Sequence, residues 1–339
     1  PFRYCALLNV IGVVYQELGD SETALQYFLR VGAQGLDPKH QVNLVTLPNI
    51  AYIYLNQGRV DEALALFRQA VEMNLKARFA FGSAHACRSL GDALVGLERH
   101  AEAIEPLRQA AGLFAQLEDR SSEVLMWRRV AEAFETLHRP ADARDAWARA
   151  RELVRGRDPS CEAEALAGVA RAERALAVDP EIMLAHYREA LALAEQAGDA
   201  KRALGLRNSL GIAHWQRGEF GESVSHYEVA LRLCKEEGDV VHQGLILNSL
   251  GVSLFRLQRL PEARAVLMES LEVTDATGER QLHAHALAAL ADVAIAEERL
   301  DEATAHVDRS LALRRELGDR RGEGWLLERL ARVRDRQGA

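Results

Sequence analysis

A set of small, aromatic and apolar residues returns about every forty positions along this 339-residue chain. Gly12, Tyr15, Gly19, Ala24 and Phe28 come back after a shift of 39 as Ala51, Tyr54, Gly58, Ala63 and Phe67. Shifts of 40 then carry the first column through Gly91, Ala131, Arg171, Gly211, Gly251, Ala291 and Ala331. The Ala24 column continues as Ala103, Ala143, Met183, Ser223, Ala263 and Ala303, and the Phe28 column as Leu107, Trp147, Tyr187, Tyr227, Leu267 and Val307. A chain with such a period does not wrap around one core. Each unit buries its apolar side by stacking on its neighbours, so stability is close to a sum of nearest-neighbour terms.

Each unit reads as two helices, because apolar residues in each half recur at i, i+3, i+4 and i+7. Composition agrees. Hydrophobic residues are 48% of the chain, aromatics only 6%, and there are 8 prolines; Ala and Leu, the best helix formers, dominate the rest. Turn residues fall between the halves at Gly19-Asp20, Gly58-Arg59, His138-Arg139-Pro140 and Gly218-Glu219. Between units they fall at Gly198-Asp199, Gly238-Asp239, Gly278-Glu279 and Gly318-Asp319. Gly closes a helix in the left-handed region, and the acidic residue after it caps the next helix. Asp37-Pro38, Asp158-Pro159, Asp179-Pro180 and Leu260-Pro261 place Pro near a first helical turn, where its missing N–H costs nothing. Gly or Ala on a unit's first helix is expected to lie opposite Ala on its second, with the large residue of the Phe28 column wedged between neighbouring units.

The small residue, Tyr, Ala and Phe at positions 12, 15, 24 and 28 are what a tetratricopeptide repeat looks like, and the resemblance spans residues 1–339. That family's standard period is 34 residues; forty implies longer helices. The long variant resembles the arrays of Pins-type G-protein regulators. It also resembles the C-terminal sensor regions of bacterial signal-transducing ATPase transcription regulators. Asn208-Ser209-Leu210-Gly211 and Asn248-Ser249-Leu250-Gly251, each behind a Gly-Asp turn, are the nearest local matches. The resemblance implies an all-α fold, a right-handed α-solenoid of eight helix-turn-helix repeats plus a C-terminal capping helix. Units one to four cover 1–158, unit five 159–198, units six to eight 199–318, and the cap 319–339. Unit five carries Arg171 in the small-residue column and Arg174 in the Tyr15 column, so either its register slips or its helices separate; a looser joint is expected there.

Members of this family hold proteins or peptides on a concave wall lined by the first helix of each unit, three positions before and one and four after the small residue. Carried over, that gives Asn9, Tyr52, Arg88, Asp92, Arg128, Glu132, Asn208, Trp215, Asn248 and Phe255 as groove residues. Arg88 and Arg128 share a rung, and paired guanidinium forks suit a carboxylate or phosphate. The alternative is pairing with their own i+4 acids, Asp92 and Glu132, worth about 0.3–0.5 kcal/mol each on an exposed helix. Asn208 and Asn248 offer donor and acceptor to an extended backbone, and Trp215 and Phe255 are either anchors beside them or inter-unit core.

Other chemistries lack their residues. There is no G-x-x-x-x-G-K-[ST] loop, no G-x-S-x-G elbow and no H-E-x-x-H. His283 and His285, like His85 and Cys87, are two apart on a helix and diverge, and acid pairs such as Asp61-Glu62 and Asp301-Glu302 sit where a helix N-terminus favours them. No enzyme, metal or cofactor is expected. Net charge is −8, from 50 acidic and 42 basic side chains with the signs interspersed, so neither nucleic acid nor membrane is an expected partner. The four cysteines, Cys5, Cys87, Cys161 and Cys234, form no C-x-x-C pair and suit free thiols in a reducing cytoplasm. Nearly all cations are Arg, which fits a bacterial coding sequence. The leading expectation is a scaffold for a protein or peptide carrying acidic groups. The alternatives are a ligand- or peptide-sensing region of a larger bacterial regulator, and self-association through an open solenoid end.

Overall fold

A computed structural model describes residues 2–33 and 41–337. Among them are seventeen helices and no strand. The first helices of the hairpins are α1 (Phe2–Glu17), α3 (Gln41–Asn56), α5 (Ala80–Gly96), α7 (Arg120–Thr136), α9 (Pro159–Ala175), α11 (Ala200–Gln216), α13 (Val240–Arg256) and α15 (Arg280–Ala296). The second helices are α2 (Ser21–Gly32), α4 (Val60–Lys76), α6 (His100–Gln116), α8 (Pro140–Val154), α10 (Pro180–Gln196), α12 (Phe220–Glu237), α14 (Leu260–Thr277) and α16 (Leu300–Glu316). Then α17 (Arg320–Gln337) follows as a ninth first helix. The architecture is an all-α solenoid of helical hairpins. It divides into two compact units, residues 1–183 and 184–339, the division falling inside α10.

Helix ends follow the turn chemistry, with one addition. The expected glycines at 19, 58, 198, 218, 238, 278 and 318 all have positive φ, as does Gly156. Seven other turns close on a residue with a side chain in the same left-handed region: Arg78, Glu98, Glu118, His138, Ala177, Gln258 and Glu298. Packing of the hairpins therefore overrides a local preference for Gly. Asp20, Asp119, Asp158, Asp199, Asp239 and Asp319 each accept the backbone N–H three residues on. Most second helices start differently. Arg59, Arg99, Arg139, Arg259 and Arg299 stand at the cap position without a side-chain cap bond and pair with the acid three residues later, Glu62, Glu102, Asp142, Glu262 and Glu302. Pro159 and Pro261 lie in the first turn of α9 and α14 as expected. Asp37-Pro38 lies outside the described residues.

The packing corrects one expectation. A Cβ added to Gly12, Gly91, Gly211 or Gly251 would stand 2.5–2.6 Å from Phe28, Leu107, Tyr227 or Leu267, each on the second helix of the same hairpin. The large residue itself thus fills the space beside the small one, and the hairpin closes on that pair. Trp147 also reaches the next hairpin, where Gly168 on α9 would put a Cβ 2.2 Å from its indole ring. Buried hydroxyls add ties within hairpins: Ser270 and Ser310 donate to the carbonyls of Gly244 and Ala284, and Ser223 to that of Gly211.

Candidate partner-binding faces

In the first unit the predicted positions on α5 and α7 are charged, half-buried or exposed, and largely paired. The closest pairs are not the expected ones. Asp92 is bridged at 3.0 Å by Arg129 of the next first helix, not by Arg88 on its own. Arg128 reaches across to Glu164 on α9 at 2.7 Å, while its i+4 partner Glu132 stands at 3.9 Å. Arg171 lies 3.1 Å from Glu135 on α7 and 5.5 Å over the Trp147 ring, and the Trp147 indole N–H donates to the same Glu135. Residue 171 therefore ties the fifth hairpin's first helix back to the fourth hairpin. Helix α9 itself stays within a residue of the forty-residue register.

These bridges span successive first helices, so their carboxylates sit in a half-desolvated seam. Burial raises the pKa of Asp92 against the pull of Arg129 and Arg88, and burial likewise raises that of Glu132 against Arg128. Tyr52 is half-buried, and its hydroxyl donates to the Ser89 carbonyl at 3.4 Å; burial pushes its pKa up. Asn9 accepts from the Thr46 hydroxyl on α3 at 3.0 Å. Of the two predicted groove cations, Arg128 is ion-paired and Arg88 has no ion pair among the described residues.

The second unit presents a different face. Asn208 on α11 and Asn248 on α13 occupy the same rung, and the side-chain oxygen of each is buried without a hydrogen-bond partner among the described residues. Their neighbours do not help: Ser209 and Ser249 donate to the carbonyls four residues back in their own helices. One position after the small residue stand Ile212 and Val252, half-buried. Trp215 is 37% exposed and meets Phe220 edge-on at 6.3 Å; Phe255 is half-buried against the unit's core.

The sequence reading missed Arg129 and Glu164. A signal existed for the first. Asp292 on α15 pairs bidentately with Arg329 on α17, which repeats the 37-residue separation of Asp92 and Arg129. The described residues contain no cluster of three His, Cys, Asp or Glu suited to a metal, and no helix long and apolar enough to cross a membrane. All four cysteines are free thiols, three of them buried.

Tetratricopeptide repeat models match residues 6–31, 41–116, 203–237 and 243–316, more than half of the chain. The chain belongs to the tetratricopeptide repeat family. No curated protein matches this repeat chain in sequence. Among solved structures it resembles a signal transduction ATPase with numerous domains from Pyrococcus horikoshii that carries a tetratricopeptide repeat sensor. That match has a TM-score of 0.65 and 16% identity, covering 95% of this chain and 50% of the other. It also resembles aspartyl phosphate phosphatase F from Bacillus subtilis, with a TM-score of 0.59 and 11% identity over 98% and 94% of the two chains. A Rap protein complexed with competence and sporulation factor matches at a TM-score of 0.52 and 12% identity over 99% of both. At these identities the likeness is one of fold.

Proposed function

We propose that this tetratricopeptide repeat chain is a non-enzymatic scaffold that holds a protein or peptide on the first-helix face of its second unit. The observation that carries this reading is the pair of buried, unpartnered amide oxygens of Asn208 and Asn248, one repeat apart. A buried acceptor left unbonded costs about 1–3 kcal/mol, and an extended backbone offers donors that would recover that cost. Trp215 supplies exposed apolar surface on the same helix as Asn208. In the first unit the seam between first helices is already bridged, which leaves Arg88 as the cation for an acidic group on the partner. Four free cysteines suit a reducing, cytoplasmic setting.

The sensor reading is supported by one observation: nearly the whole chain aligns with half of a larger ATPase described as having a repeat sensor. In that reading the same face receives the signal and passes it to a further domain.

Both readings need the same contacts. Partner captured from the native organism should be released by Asn208→Ala/Asn248→Ala and by Trp215→Ala, with affinity down by about tenfold or more and far-UV circular dichroism unchanged. Arg88→Glu should weaken binding of an acidic partner alone. Undiminished capture by the double Asn variant would remove the second unit's face from consideration.

A further inference from the structure

Repeats allow each contact to be compared with its copy one hairpin on, and one contact of the second unit is closed where its copy is open. Lys235 on α12 lies 2.8 Å from Glu269 on α14, and the side-chain amide of Gln243 on α13 donates to the same carboxylate at 3.4 Å. Forty residues on, the same three positions hold Asp275 on α14, Arg309 on α16 and His283 on α15. The two charges have exchanged places and are still opposite. Yet neither Asp275 nor Arg309 has an ion pair among the described residues. A cavity of about 320 Å³ stands there instead, with both side chains and His283 in its wall.

The rest of the wall narrows what fits. Thr274, 1% exposed, donates its hydroxyl hydrogen to the Ser270 carbonyl at 2.8 Å. Its oxygen therefore accepts from Nδ1 of His283, 3.0 Å away, which leaves Nε2 of that ring as a bare acceptor. Burial lowers the pKa of His283 against the pull of Asp275, so the ring is neutral. Arg280, also in the wall, is committed to Glu316 of α16, and Leu287 and Leu313 supply an apolar patch. Asp275 lies in the last turn of α14, where the partial negative charge of the helix end adds to its own and favours a cation. The Arg309 fork suits a carboxylate. A simple anion would meet Arg309 but be repelled by Asp275, and a simple amine would meet the reverse. Only a molecule with both signs satisfies both. The cavity is at the small end of ligand sites, which run from roughly 300 to 1,000 Å³.

We infer that this cavity is a site for a free aliphatic α-amino acid. The carboxylate lies on Arg309, the ammonium on Asp275 and Nε2 of His283, and the side chain against Leu287 and Leu313. None of these residues is among the proposed partner contacts, so failure here leaves that reading untouched.

Isothermal titration calorimetry of the whole chain with L-leucine, L-isoleucine and L-valine tests it. At least one should bind at a single site per chain with sub-millimolar affinity. Asp275→Asn and Arg309→Gln should each weaken that binding by about tenfold or more, since each removes one charged partner. Both side chains are exposed, so far-UV circular dichroism should not change. Isocaproate, which is leucine without its ammonium, and isoamylamine, which is leucine without its carboxylate, should bind about tenfold or more weakly than leucine. Absence of binding by all three amino acids at millimolar concentration overturns the inference. So does binding that either variant retains in full. Isocaproate or inorganic phosphate binding as tightly as the amino acids would overturn it too, and would make the cavity an anion site.

Discussion

Gly91 shows how tightly a single residue is held. Its absent side chain is the space that Leu107 occupies, 2.5 Å from where a Cβ would stand. Gly91→Leu should therefore lower the stability of the first unit by about 1–3 kcal/mol, read as a lower urea midpoint for that unit. His226 is constrained electrostatically. It lies on α12, stacked 5.4 Å from His214, with Arg207, Arg188 and Glu222 around it. Burial first, then the cationic neighbours, pull its pKa down from 6.5 to about 4. The folded state thus holds this imidazole neutral over a range where the unfolded chain protonates it. Stability contributed by the neutral form is present above pH 6.5 and is lost as pH falls from there toward 4. His226→Gln should flatten the decline in melting temperature over that window, and an unchanged slope would assign it to other groups.

Helices in this chain begin and end by two separate devices. Most starts rely on Asp caps or on an Arg paired with an acid three residues later. Asp239→Ala should cost about 1 kcal/mol by removing the bond to the His242 N–H. Ends rely on a left-handed residue, which is a side-chain-bearing one in seven turns. Gln258 sits at φ 62°, a conformation costing about 1–2 kcal/mol for an L residue. Gln258→Gly should raise the melting temperature of the second unit, the relief of strain exceeding the added chain entropy. Gly218→Ala, at φ 77°, should do the opposite. Turns were partly legible in advance. Gly-Asp pairs announce themselves, whereas Gln258 and Glu298 carry no mark of the conformation that packing forces on them.

Across the whole molecule, each unit's first helices are joined by ion pairs 36 or 37 residues apart: Asp92 with Arg129, Arg128 with Glu164, Glu135 with Arg171, and Asp292 with Arg329. Arg129→Ala should destabilise the first unit by about 1–2 kcal/mol, because it leaves the Asp92 carboxylate half-buried without its bridge. Asp92→Ala/Arg129→Ala should cost less than the single change, measured by chemical denaturation as a double-mutant cycle. The repeat length, the helical class, the recurring columns and the Asp-capped helix starts could be read from the residues alone. They arise from contacts within a hairpin or between neighbouring hairpins, and short-range contacts leave a periodic trace in the chain. Which of Arg128 and Arg129 meets Asp92, how Arg171 is accommodated, and that the Asn208 and Asn248 oxygens stay unbonded were settled by the tertiary structure. Those outcomes depend on the rotation of one hairpin against the next, and a rotation of a few tens of degrees exchanges neighbouring side chains without altering the period.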